Sequence, residues 1–139
     1  MDQQLVAQKL ESLRSCIHRV ETKLPESQEV FLNDLDSQDI IALNLTRAVQ
    51  MCVDIAAHWL AENTEASAPK TMGQTFESLY QVGIITEELA NHMRLSVGFR
   101  NVMVHNYDDV NWEIVYTICS KHIDDFRAFA QVFSGLSKR

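Results

Sequence analysis

Two prolines and four glycines are all that punctuate 139 residues. A chain so short of turn residues cannot supply the many tight reversals of a β-sandwich or the loop of a glycine-rich phosphate cradle. Long helices are what remain. The length corresponds to one domain, residues 1–139, able to bury roughly two-thirds of its unfolded surface without a disulfide or metal.

Apolar spacing supports the same conclusion. Val6, Leu10, Leu13, Ile17, Val20 and Leu24 recur at intervals of 4, 3, 4, 3 and 4, which predicts an amphipathic helix ended by Pro25. A short segment around Val30–Leu35 follows. Ser37 is the expected N-cap of a second long helix over about Gln38–Glu62, apolar on most sides and therefore central or buried in an oligomer. Asn63–Gly73 reads as a loop, and Thr75–Gln81 as a short helix stopped by Gly83. Thr86 caps a third long helix that continues to about Val104. Asn106–Asn111 is a polar break. Asn111 then caps a last helix with Val115, Ile118, His122, Phe126, Phe129 and Phe133 on one face, and a tail fraying over 134–139. The expected architecture is an all-α antiparallel four-helix bundle with one short extra helix.

The formal net charge is −7, from 12 basic and 19 acidic residues. This argues against non-specific coating of nucleic acid, while a local basic cleft still suits one phosphate. Lys9, Arg14, Arg19 and Lys23 recur along the first helix, but Glu11 and Glu21 interleave with them as on a solvated face. Cys16, Cys52 and Cys119 lie far apart with no C-x-x-C spacing, as expected of reduced, packed thiols in a cytoplasmic protein. The opening MDQQLVAQKLES carries no secretory pattern. The most apolar stretch, Met51–Ala61, is interrupted by Asp54 and His58, so no membrane span is expected.

Chemistry concentrates in Gly98-Phe-Arg-Asn-Val-Met-Val-His-Asn-Tyr107. Arg100 continues the apolar stripe of Leu89, Met93 and Val97. A guanidinium does not deprotonate, so there it must meet a carboxylate, reach an interface, or await an anion. Pairing with Asp54 is the structural option. His105 is five residues on, about 140° around an ideal helix. The two converge on one anion only if the helix ends near Val104 and the chain turns. Asn101 shares the His105 face, where it could orient the imidazole or a phosphate or serve as a plain surface amide. Tyr107 projects just beyond. Arg, His and Tyr at a helix end make a compact, metal-free phosphate site.

This segment resembles the Arg-x4-His-x-Tyr motif of HepT-type toxins, members of the HEPN superfamily of helical ribonucleases. Arg47–His58 resembles that family's second helix, and Thr75–Leu89 its linker and the start of its third long helix. The similarity covers about residues 5–133. It implies a homodimer that brings two motifs to a shared cleft and cleaves RNA without metal or cofactor, leaving a 2′,3′-cyclic phosphate. Arg100 and His105 would be catalytic, with Asn101 and Asp54 supporting. It also implies a nucleotidyltransferase antitoxin of the MntA type, which would transfer AMP from ATP to Tyr107; without the resemblance, Tyr107 reads as a ring packed on the last helix. A non-catalytic dimeric adaptor for such a partner is the alternative. Asp54-x3-His58 and Glu88-x3-His92 are possible metal-ligand pairs, more often ordinary polar pairs.

Overall fold

The computed structural model describes residues 3–65 and 68–137. Its helices are α1 (Gln3–Lys23), α2 (Gln28–Leu32), α3 (Leu35–Asn63), α4 (Met72–Gln81), α5 (Glu87–His105), α6 (Trp112–Thr117) and α7 (Asp124–Ser137). A 3-10 turn, Tyr107–Asp109, follows α5, and a π-helical turn, Ile118–His122, joins α6 to α7. No strand occurs among the described residues. The four long rods are α1, α3, α5 and the α6–α7 run. Two short helices, α2 and α4, occupy the connections.

The chain reverses at each connection. Lys9 of α1 meets Asp54 of α3, and Arg100 of α5 meets Gln50 of α3 while Tyr107 reaches back to Asp39. Numbers rise on one helix as they fall on its neighbour, so the rods are antiparallel. The seam expected on α1 is buried from Val6 to Val20. Phe76, Phe129 and Phe133 are fully buried; Phe76 meets Phe129 edge-on at 5.9 Å and Phe129 lies 4.7 Å from Phe133.

Local chemistry sets the helix ends. Side chains of Ser27, Asp34, Thr71, Thr86 and Asn111 each accept a backbone N–H at the start of a helix. The Thr86 and Asn111 caps are those expected. At α3, Asp34 replaces the expected Ser37. Ser37 donates its N–H and hydroxyl to the two Asp34 carboxylate oxygens at 3.1 and 2.7 Å. An ionised carboxylate is the stronger acceptor and suits the positive helix end. Buried Gln38 then donates to the Phe31 and Leu32 carbonyls, satisfying the C-terminal end of α2. Thr71, rather than a residue near Thr75, starts α4, and Gly83 takes φ +82° just after it.

Three further expectations change. The α6–α7 run is not one regular helix. Val115, Cys119, Ile123 and Phe126 are buried, while Ile118 is only half-buried and His122 is exposed, because the π-helical turn shifts the register. The tail is helical through Ser137; Lys138 and Arg139 lie outside the described residues, as do Ala66 and Ser67 of the loop. Finally, α3 is long and apolar enough to span a bilayer, with a mean hydropathy of 1.4 over 18 residues. Within the bundle it is the central rod, flanked by α1, α4, α5 and α7, which bury most of its apolar residues, while Leu35 and Leu43 stay exposed. The cysteines are free and buried, as expected; burial pushes the Cys119 thiol up to about 12 and the Cys52 thiol well above its usual value.

Candidate active site

The inward stripe of α5 carries Leu89, Met93 and Val97, all buried. Arg100 follows them, half-buried, where α5 passes α3. Among the described residues no carboxylate pairs with it. Its Nη2 donates to Gln50 Oε1 at 3.4 Å and its Nη1 to Asn101 Oδ1 at 3.0 Å, both neutral amide oxygens. Its Nε is buried without a hydrogen-bond partner among the described residues. The direct Arg100–Asp54 pair is therefore not formed. Asp54 accepts from Lys9 Nζ at 3.3 Å and from Gln50 Nε2 at 2.9 Å. Gln50 thus stands between the carboxylate and the guanidinium: its amide N–H₂ faces the acid and its carbonyl faces the cation. The guanidinium is aimed by α3, yet its charge is not cancelled.

The expected backbone turn before His105 does not occur. The helix continues through His105, and Asn106 is its C-cap, with its N–H donating to the Val102 carbonyl. Arg100 and His105 stay about 140° apart around the axis. The side chain narrows that gap instead. Arg100 reaches sideways to Asn101, and Asn101 sits one turn before His105 on the same face. Asn101 and His105 are both exposed. The arrangement is a half-buried cation, an amide and an imidazole in sequence around the last two turns of α5.

Tyr107 sits in the 3-10 turn, 40% exposed. Its ring packs edge-on against Trp112 at 5.5 Å, and Trp112 in turn meets Phe31 at 5.9 Å. This is the ring packing against the last helix that the residues alone suggested. Its hydroxyl donates to Asp39 Oδ1 at 2.5 Å, spanning 68 residues of sequence. Burial, and then the Asp39 carboxylate, push the Tyr107 hydroxyl well above its usual range. The phenol is held neutral and its proton is already directed at a carboxylate.

With this geometry in view, the comparisons with known proteins are decisive on kinship. Residues 13–133 match the family model described as Ribonuclease HepT-like. The chain belongs to the HepT-like ribonuclease family. It is 30% identical over 131 residues to the mRNA nuclease HepT of Shewanella oneidensis, covering 94% of this chain and 97% of that protein. It is 28% identical over 105 residues to the tRNA nuclease HepT of Aphanizomenon flos-aquae, covering 76% and 71%. The tri-AMPylated HEPN toxin of Shewanella oneidensis, solved in complex with an MNT antitoxin, superposes with a TM-score of 0.88 at 31% identity, covering 97% of this chain and 98% of that one.

Two residues of this HepT-like site escaped the sequence reading. Gln50 was signalled weakly, by its position one turn before Asp54 on the same face of α3. Asp39 lies 68 residues from Tyr107, and no local spacing connects them.

Proposed function

We propose that this protein is a metal-independent endoribonuclease toxin that acts as a homodimer in the cytoplasm and is silenced by AMP transfer to Tyr107 from an MntA-type nucleotidyltransferase. The uncompensated guanidinium of Arg100 carries the reading. A structural arginine would take a carboxylate, and one is within reach of the same network at Asp54. Here an amide intervenes and a buried N–H is left over. That is the state of a cation reserved for an outside anion, and the scissile phosphate of RNA is the anion that the family relation suggests.

The chemistry balances within a dimer. The RNA 2′-oxygen attacks the adjacent phosphorus while His105 of one protomer accepts its proton. The bond to the 5′-oxygen breaks, and the partner's His105 supplies that oxygen with a proton. Arg100 stabilises charge growing on the phosphorus oxygens. The products are a 2′,3′-cyclic phosphate and a 5′-hydroxyl. Asn101 holds the guanidinium toward the imidazole face, and Asp54 acts through Gln50. The outer face of α5 is suited to a symmetric contact. Leu95 and Val102 are exposed beside Asn101 and His105. Gly98 is exposed mid-helix, where an added Cβ would meet nothing within 4 Å. A glycine there leaves room for close approach from outside.

Silencing follows from Tyr107. Its oxygen attacks the α-phosphorus of ATP, pyrophosphate leaves, and Asp39 takes the phenolic proton. The new phosphodiester adds a negative charge two residues from His105, where the RNA backbone would lie. The test is cleavage of RNA by purified protein in excess chelator. Wild type should yield cyclic-phosphate ends, whereas Arg100→Ala and His105→Ala should not. Failure of the wild type to cut any RNA while still binding its nucleotidyltransferase would establish the adaptor reading instead.

A further inference from the structure

One cluster of metal-ligating side chains lies outside the motif. His92 projects from α5, His122 ends the π-helical turn, and Asp125 lies in the first turn of α7. His92 Nδ1 is 3.2 Å from Asp125 Oδ1, and His122 Nδ1 is 4.0 Å from Asp125 Oδ2. The two imidazoles meet edge-on, with centroids 5.6 Å apart and planes at 68°. One ligand atom from each of the three residues lies within 4.8 Å of the others. A tetrahedral zinc ion with bonds of about 2.0–2.1 Å separates its ligand atoms by roughly 3.3 Å. Binding draws the ligand atoms together by at most about 1.5 Å.

A His–Asp hydrogen bond accounts for His92 and Asp125. It does not account for His122. That contact is too long for a hydrogen bond, yet it brings the ring nitrogen to 4.0 Å from the second oxygen of the same carboxylate. The π-helical turn is what puts it there. Regular α-helical spacing would have placed His122 on the core face with Val115 and Phe126; the shifted register swings it out beside His92. The three residues border a cavity of about 150 Å³ whose other walls include Met93, Leu95, Ile118 and Phe126. All three remain partly open to solvent.

We propose that His92, His122 and Asp125 bind a zinc-class divalent cation that clasps α5 to the last helix. Two imidazoles and one carboxylate suit zinc, cobalt or nickel better than magnesium or calcium, and they leave a fourth position for water. The site is structural. His92 precedes Arg100 by eight residues and His105 by thirteen, about 12 and 20 Å along α5. The cation therefore holds the helix that carries the motif and takes no part at the motif itself.

Chelator-stripped full-length protein titrated with CoCl₂ provides the test. Expected are visible absorption bands saturating at one cobalt per chain, displaced by ZnCl₂. Zinc at about a hundredfold excess over its Kd should raise Tm by roughly 5–10 °C. His122→Ala and Asp125→Asn should lose both effects, whereas His58→Ala retains them. Circular dichroism checks that the metal-free variants are folded. Absence of bands and of a Tm shift in wild type overturns the site. Bands that persist unchanged in folded His122→Ala and Asp125→Asn overturn it equally, since the cation would then lie elsewhere. The cavity forms within one protomer, so the result stands whether or not RNA is cut.

Discussion

At the scale of single residues, Arg100 and Tyr107 show how partners define a role. Arg100 is tethered by neutral oxygens, so it keeps a charge to offer. Replacing it with Ala should lower kcat/KM for RNA by about 10²–10³-fold, and His105→Ala by about 10²–10⁴-fold, with helical content unchanged by circular dichroism. Gln50→Leu removes the tether without touching the motif. Charge-assisted hydrogen bonds contribute about 1.5–3 kcal/mol, so a loss of roughly 10–100-fold is expected, read as a kcat/KM change in steady-state assays. Tyr107 makes a pH prediction. Its folded pKa lies above the unfolded value of about 10, so its stabilising contribution is complete below pH 10 and is lost as pH rises through the folded value. Wild type should lose Tm on raising the pH above 10 more steeply than Tyr107→Phe does. Asp39→Asn should slow AMP transfer to Tyr107, measured by intact mass after incubation with the nucleotidyltransferase and ATP, while leaving RNA cleavage intact.

At the scale of elements, helix ends and helix faces behave differently. The caps are local, and four of the five residues that make them are hydroxyl or amide types. At α3 the sequence points to Ser37, which satisfies the same rule as the true cap Asp34 three residues earlier; the choice depends on which acceptor is stronger. Asp34→Ala should cost about 1 kcal/mol in denaturant unfolding, whereas Ser37→Ala should cost less. Faces are less local. The register of the last helix was legible up to Val115 and again from Phe126, but the π-helical turn between them was not. An inserted residue leaves composition and average spacing nearly unchanged, and only packing against α5 reveals it. Gly98→Ala separates two effects: about 1 kcal/mol of added helix stability within the protomer, and weaker self-association by analytical ultracentrifugation if a partner approaches that face closely.

At the scale of the whole molecule, the pieces of the site come from opposite ends of the sequence. Lys9, Asp54, Gln50, Arg100 and Asn101 form one line of hydrogen bonds across α1, α3 and α5. Tyr107 is held by α3 through Asp39 and by α6 through Trp112. The sequence by itself determined the helical class, most of the helix ends and the buried seam of α1, because each depends on spacing within a few turns of one helix. Tertiary structure alone decided that Asp54 meets Gln50 rather than Arg100, that Asp39 accepts the Tyr107 hydrogen bond, and that His122 turns toward His92. Those partners lie on different rods, and a side chain chooses among them only after the rods are packed, when distance and desolvation act together.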